Sequence, residues 1–412
     1  MDNRERLEKI FELQKSINKI TSSSKTYNQK AKKVEEVKIE EVLSGNFIKT
    51  PFGLTFVWEN CFSHDYKCGE ITLSQIFKSP TRSLSLLVGD KRIDRMDINK
   101  TVFLDTETTG LAGGAGTFIF LIGLGYFTEA QFCVRQYFMR DFDEEQALLS
   151  ALNELLDKFE SVVTYNGKSF DLPLMENRFI MSEMKMNLEE PTHLDLLYPA
   201  RRLWKKRLEN CSLSTVERDV LGLYRENDVP GYLVPEIYFN YLRTKDARAL
   251  KGVFEHNLQD ILSLVALAAK MGDFLEEPLK NTIYPSDIYS LGKIYDKQKE
   301  YIKSALYYKE ALKRNLAEEE ALEILRLVSF AYKRQEKWEE AEKIWKEIIE
   351  RSQEFIYYPY EELAKYYEHY LKDYRKAKLI VEEALNIVEN IFLKEKLKYR
   401  LKRIKRKEKS GK

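Results

Sequence analysis

Apolar positions along the chain change their period several times, and each change marks a different kind of element. Leu7, Ile10, Phe11, Leu13, Ile17 and Ile20 recur at helical spacing ahead of the Ser-rich stretch TSSSKTYNQ, which predicts an appended helical arm over residues 1–45. Over 46–98, short runs such as GLTFVWE alternate with turn residues and predict a small β-rich lead-in. TVFLD, FIFLIGLGYF and QFCVRQYFM follow, separated by a Gly-rich turn and by FTEA, and read as a three-stranded meander. A helical pattern (EEQALLSALNELLDKF), a short buried strand (SVVTY), a helix beginning near Ser169 and a long helix around EHNLQDILSLVALAAKMGDFL complete a unit over 99–275. Strands followed by helix, strand and helix predict an α/β domain with a mixed sheet.

From 284 to 412 the pattern is helical throughout. YDKQKEYIKSALYYKEAL, YKRQEKWEEAEKIWKEII and YEHYLKDYRKAKLIVEEAL resemble one another. Tyr301, Trp338 and Tyr374 recur at about 36 residues, as do Ala311, Ile348 and Ala384, which is close to the period of tetratricopeptide repeats. An all-α tetratricopeptide-like repeat domain is therefore expected after the α/β domain, and three copies suffice for a stable stack.

A chain of 412 residues is too long for one ordinary core, which agrees with two domains plus appendages. With 32% charged residues and a formal net charge of +1, any grip on a polyanion must come from local basic patches. The start, MDNRERLEKIFELQ, mixes acids and bases, and no apolar run is long enough to span a bilayer, so a cytoplasmic location without membrane contact is expected. Cys61, Cys68, Cys133 and Cys211 are scattered through a large chain and are expected to be reduced thiols.

The chemistry concentrates in three segments. In LDTETTG, Asp105 and Glu107 lie two apart on a strand and so point to the same face, while Thr109-Gly110 end the strand in a turn. Two adjacent carboxylates repel each other unless a cation sits between them, and Mg²⁺ or Mn²⁺ suits oxygen ligands. In TYNGKSFDLPLMENRF, the turn Asn166-Gly167 precedes Asp171 in the first turn of a helix, a position that also favours an acid for purely structural reasons. Gly-Lys-Ser at 167–169 is not a nucleotide loop, because Val162 stands where its first glycine belongs. In HNLQD, His256 and Asp260 lie four apart and share one helix face. Together the segments supply the inventory of a two-metal nuclease, namely several carboxylates and one group to position water.

The order Asp-x-Glu, then Asp after a strand, then His with Asp on a late helix resembles the DEDD exonucleases of the DnaQ-like, RNase H-like superfamily. More narrowly, FLDTETTGLAGGAGTFIFLIGLGYF with TYNGKSFDLPLMENRF and HNLQDILSL is similar to the bacterial YprB family of predicted exonucleases, which often carry C-terminal tetratricopeptide-like repeats. The resemblance covers residues from about 46 to 275 and implies an RNase H-like fold. It further implies 3′-to-5′ hydrolysis of DNA or RNA, with Asp105, Glu107, Asp171 and Asp260 holding two Mg²⁺ or Mn²⁺ ions and His256 orienting or deprotonating the water. Thr108, Leu111, Asn166 and Lys168 are the substrate contacts it suggests, Leu111 by analogy with a residue that wedges against the terminal base. One departure stands out: a histidine occupies the four-residue spacing that the tyrosine subtype uses, whereas the histidine subtype usually has five.

Three further signals carry ordinary structural readings beside functional ones. Cys61, His64 and Cys68 lack the paired CxxC spacing of a zinc site. LYPARRLWKKRL, read as a helix, groups Leu197, Ala200, Trp204 and Leu208 on one face with Arg201, Arg202, Lys205 and Lys206 beside it, suited to phosphates or to solvent. The tail KEKLKYRLKRIKRKEK is either a nucleic-acid track or a solvated last helix with Leu393, Leu397, Leu401 and Ile404 packed down. Two other functions remain open on the same scaffold: a nucleic-acid-binding adaptor using the repeats as its surface for nucleic acid or a protein partner, and a metal-dependent endonuclease.

Overall fold

The computed structural model describes residues 36–410 apart from 80, 111–115, 189, 227 and 283. The apolar positions on which an N-terminal arm was expected, Leu7 to Ile20, lie outside the described residues.

Seven strands form the main sheet: β1 (Asn46–Thr50), β2 (Gly53–Ser63), β5 (Thr101–Thr108), β6 (Ile119–Phe127), β7 (Gln131–Phe138), β8 (Ser161–Thr164) and β9 (Thr192–Asp195), in the order β1-β2-β7-β6-β5-β8-β9. A separate two-stranded ribbon pairs β3 (Lys67–Cys68) with β4 (Ile71–Thr72). From β1 to β5 the pairing is antiparallel, and β5-β8-β9 are parallel, so the sheet is mixed. The four-residue β8 is buried throughout, as a parallel strand covered on both faces must be. The segment read as a lead-in thus supplies β2, which pairs along the free edge of β7, and β1, which pairs with β2.

Strand alternation splits the core into two apolar clusters. Val102 and Leu104 point towards α2 (Glu145–Leu156) and α3 (Asp171–Met181), joining Leu148, Leu152, Leu172 and Phe179. Phe103 points the other way, with Val163, towards α4 (Leu197–Trp204) and α6 (Leu250–Glu276), joining Trp204, Ile261 and Leu264. Two other helices, α1 (Thr81–Val88) and α5 (Val234–Thr244), complete the cover.

The cysteines correct one expectation. Cys61 and Cys133 are directly opposed across β2 and β7 and are joined as a disulfide; Cys68 is buried and free, and Cys211 is half-buried and free. Spacing along the chain could not reveal this pair, because the register that opposes them is tertiary. His64 packs its ring against Phe77 and Phe127, so Cys61, His64 and Cys68 do not share a ligand site.

The C-terminal region is all helical: α7 (Pro285–Lys297), α8 (Tyr301–Leu312), α9 (Glu318–Arg334), α10 (Trp338–Arg351), α11 (Tyr357–Lys365, continuing through a π-turn at Tyr366–Tyr370), α12 (Tyr374–Ile387) and α13 (Ile391–Ser410). Tyr301, Trp338 and Tyr374 each open the second helix of a pair. Two residues before them, Lys299, Glu336 and Lys372 all take positive φ, of 64°, 60° and 55°, so the sequence period is also a period of backbone turns. Leu397 and Ile404 are buried and Leu393 and Leu401 pack beside them, which places the basic tail on a docked helix.

The first helix of this region is not independent of the sheet. Arg207 bonds Asp287 at 3.0 Å, Lys206 sits over the Tyr289 ring, and Leu291 and Ile294 join the cluster that contains Trp204. Part of the basic LYPARRLWKKRL segment therefore serves as a structural joint rather than an open phosphate surface.

Candidate active site

On β5, Asp105 and Glu107 continue the face of Phe103, towards α6. Gly123 on β6 is the register partner of Asp105, and a Cβ there would lie 2.2 Å from Asn257 Oδ1 and 2.3 Å from Ile261 Cδ1. A Cβ at Gly125 would come within 2.4 Å of Ile261 Cγ2. The two glycines of LIGLGYF thus let α6 approach the strand closely enough to bring its polar residues to the acids. A hydrogen-bonded chain fixes the contact: Gln136 Nε2 donates to Asn257 Oδ1 at 2.7 Å, and Asn257 Nδ2 donates to Asp105 Oδ2 at 2.7 Å.

Asp171 arrives from the other face of the sheet. It is the first residue of α3, two beyond the start expected near Ser169, and its carboxylate accepts a short hydrogen bond from Thr106 on β5. Asp260 lies on α6 one turn after His256, whose Nε2 is 3.7 Å from Asp260 Oδ2. His256 Nδ1 is 2.7 Å from Asp228 Oδ1, a geometry in which Nδ1–H donates to the carboxylate and leaves the Nε2 lone pair on the Asp260 side.

The electrostatics of these acids are unfavourable without a cation. Burial pushes the Asp105 carboxyl well above the ordinary range, and the carboxylates of Asp260, Glu107 and Asp171 push it further. Glu107 is displaced in the same direction by burial and by Asp260, Asp171 and Asp228, with Arg225 opposing. Burial raises Asp171 to about 6 against the hydrogen bond from Thr106.

One cation is already there. Arg225 Nη2 donates to both Asp260 and Glu217, and Nη1 is 3.3 Å from Asp228. The donor set, all carboxylate oxygen, fits hard divalent ions. Asp105, Asp171 and Asp260 are nonetheless each bonded to a protein donor, and among the described residues no group of three is arranged to hold a metal ion.

The suggested substrate contacts are more dispersed. The Thr108 hydroxyl donates to the Gly110 carbonyl at 2.9 Å and so closes the turn after β5. Leu111 lies outside the described residues. Asn166 takes φ 65°, and its N–H and that of Lys168 donate to Asp195 at 2.8 and 3.1 Å, leaving both side chains exposed. Sequence reasoning overlooked Arg225, Glu217, Asp228 and Asn257. Asn257 was legible in principle, since it stands between His256 and Asp260 on the helix. Glu217 and Asp228 lie 39 and 28 residues ahead of His256 in sequence with no periodic relation to it. Only the fold brings them in.

Comparison with known proteins places this arrangement. A profile of the RNase H superfamily matches residues 102–272, which include all four proposed metal ligands and His256. The chain is also 36% identical over 313 residues to a Bacillus subtilis (strain 168) protein described as uncharacterized protein YprB, and the match covers 75% of each chain.

Proposed function

Because this chain belongs to the YprB family within the RNase H superfamily, we propose that it is a metal-dependent 3′-to-5′ exonuclease of DNA or RNA. The observation that supports this reading most is the convergence of Asp105, Glu107, Asp171 and Asp260, drawn from three distant segments, into a cluster in which burial and the neighbouring carboxylates raise the proton affinity of Asp105 and Glu107. Such a cluster is costly unless cations complete it, and RNase H-like nucleases generally use divalent metals.

Two Mg²⁺ or Mn²⁺ ions held by these four residues would supply water activation on one side of the phosphorus and stabilise the leaving 3′ oxygen on the other. His256 Nε2 accepts the proton of the attacking water. Asp228, bonded to Nδ1, holds the ring in that tautomer and orientation. Asn257 fixes the Asp105 carboxylate, and Thr106 fixes that of Asp171, so both acids are oriented from the protein side.

The helical pairs contribute contacts rather than chemistry in this reading. A cavity of about 420 Å³ is lined by Trp338, Tyr370 and Glu362 beside Arg400 and Arg403, whose guanidinium groups are paired with Glu368.

The reading is tested with 5′-labelled and 3′-labelled DNA and RNA oligomers, in Mn²⁺ and in EDTA. Stepwise shortening from the 3′ end that stops in EDTA is expected. Internal fragments would make the protein an endonuclease, metal-dependent binding without cleavage would make it an adaptor, and full cleavage in EDTA would end the two-metal mechanism.

A further inference from the structure

Arg225 is the one permanent cation that touches the acid cluster among the described residues, and its setting is unusual. Its side chain is 12% exposed, and it bridges two carboxylates of different character. Glu217, the anchor, is 1% exposed and begins a π-helical turn, Glu217–Leu221, that ends at Gly222 with φ 65°. Asp260, the other partner, lies beside His256 and is one of the proposed metal ligands. Nη1 faces Asp228 at 3.3 Å, and Nε is buried without a hydrogen-bond partner among the described residues. Nη2 thus bridges the deeply buried Glu217 and the less buried Asp260, which belongs to the acid cluster.

Two consequences follow from charge. A divalent ion on Asp260 draws on the same negative charge that holds Nη2 at Oδ1 and repels the guanidinium, so the arginine and the ion compete for one carboxylate. A guanidinium that loses Asp260 keeps Glu217 on one N–H of Nη2 and frees the other towards the acid site, where the complementary anion is a phosphodiester. Lysine could supply the charge there but not the second nitrogen that faces Asp228.

We propose that Arg225, anchored on Glu217, is an exchangeable cation: it neutralises Asp260 until a divalent ion takes that carboxylate, and then binds a phosphate of the nucleic-acid chain. The proposal rests on the nuclease reading, and it adds a phosphate subsite supplied by the 222–231 segment. The sequence of events is an exchange of partners with no covalent step. Each group keeps an opposite charge beside it, since the ion takes the arginine's place on Asp260 and the phosphate takes the place of Asp260 on the arginine.

The test compares full-length wild type, Arg225→Ala and Arg225→Lys by two measurements that do not depend on turnover. The first is Mn²⁺ affinity without nucleic acid, read from the free-ion electron paramagnetic resonance signal. Removing the competitor should tighten Mn²⁺ binding roughly tenfold in Arg225→Ala, the scale of one charge-assisted hydrogen bond. The second is the affinity of a fluorescent single-stranded oligodeoxynucleotide in Ca²⁺ across a salt series. Arg225→Ala should bind it at least about tenfold more weakly, with a slope of log affinity against log salt shallower by about 0.7, one lost phosphate contact on a single strand. Arg225→Lys should recover the slope but only part of the affinity. It also carries the test if Arg225→Ala leaves Glu217 unpaired and fails to fold.

Both shifts are required. Weaker Mn²⁺ binding in the variants would make Arg225 an organiser of the acids and overturn the exchange, and an unchanged salt slope would remove the phosphate contact. Wild type that binds no Mn²⁺ would overturn the nuclease reading and this proposal together. Wild type that binds Mn²⁺ and cleaves, beside Arg225 variants that match it in both measurements, would overturn this proposal alone.

Discussion

Two buried acidic sites in this molecule behave in opposite ways. In the helical region, Glu368 is 1% exposed, yet Arg403 reaches it at 2.6 and 2.8 Å, Lys407 at 2.9 Å and Arg400 at 3.3 Å. Burial works against its charge, but the hydrogen bonds from Arg403 and Lys407 outweigh that cost and hold the carboxyl below the ordinary range. In the sheet domain, Asp105 and Glu107 go the other way, raised by burial and by their acidic neighbours, with one arginine nearby to offset several carboxylates. A buried acid that the fold satisfies is holding helices together. A cluster that the fold leaves in conflict is arranged for something that arrives later, and perturbed titration inside a site built from distant segments is the sign that separates the two.

The largest expected effect breaks the contrast at the acid site. Asp105→Asn keeps the side-chain shape but removes one repelling charge and one metal ligand. It should reduce oligomer cleavage to background, while raising the melting temperature in EDTA above that of wild type. Wild-type turnover in this variant, or a lower melting temperature in EDTA, would mean that the acids are not in conflict.

A smaller effect separates the residue that meets the water from the one that orients it. His256→Ala should lower cleavage by about 10² to 10⁴ with Mn²⁺ affinity little changed. Asp228→Asn, which disturbs the ring's tautomer and orientation and weakens the contact with Arg225, should cost about 10- to 100-fold. Single-turnover rates at saturating Mn²⁺ decide this, and equal rates in His256→Ala and wild type would leave the histidine with a structural role.

The smallest effect on cleavage belongs to the satisfied site. Glu368→Gln should destabilise the chain by about 1–3 kcal/mol, because three cations lose a shared partner. It should leave the rate on short oligomers unchanged. Denaturant unfolding beside the cleavage assay checks both halves, and a large loss of cleavage in the folded variant would tie the repeats to the chemistry.

The comparison also shows what could be read in advance. The strand TVFLDTET alternates so that Asp105 and Glu107 must share a face, and the 3.6-residue period of HNLQDILSL puts His256 and Asp260 on one side of a helix. The helix pairs were legible because each pair repeats its aromatic and small residues, and even the turn residues Lys299, Glu336 and Lys372 keep the register. Arg225 gave no such sign: it is one of 67 basic residues, in a segment without period. The same holds for Cys61 and Cys133, which are 72 residues apart and face each other only because β2 pairs with β7 in one particular register.

By itself, then, the sequence determined everything that depends on local periodicity: strand faces, helix faces, the repeat, and the acids that line up along them. Tertiary structure decided which of those faces meet. Gly123 and Gly125 allow α6 to lie on β6 closely enough for Asn257 to reach Asp105, Thr106 turns Asp171 towards the site from the opposite side of the sheet, and the 222–231 segment delivers Arg225 to Asp260. The physical reason is range. Backbone geometry repeats every two or 3.6 residues and leaves its period in the chain, whereas contacts across tens or hundreds of residues arise from close packing and charge, which no local pattern encodes.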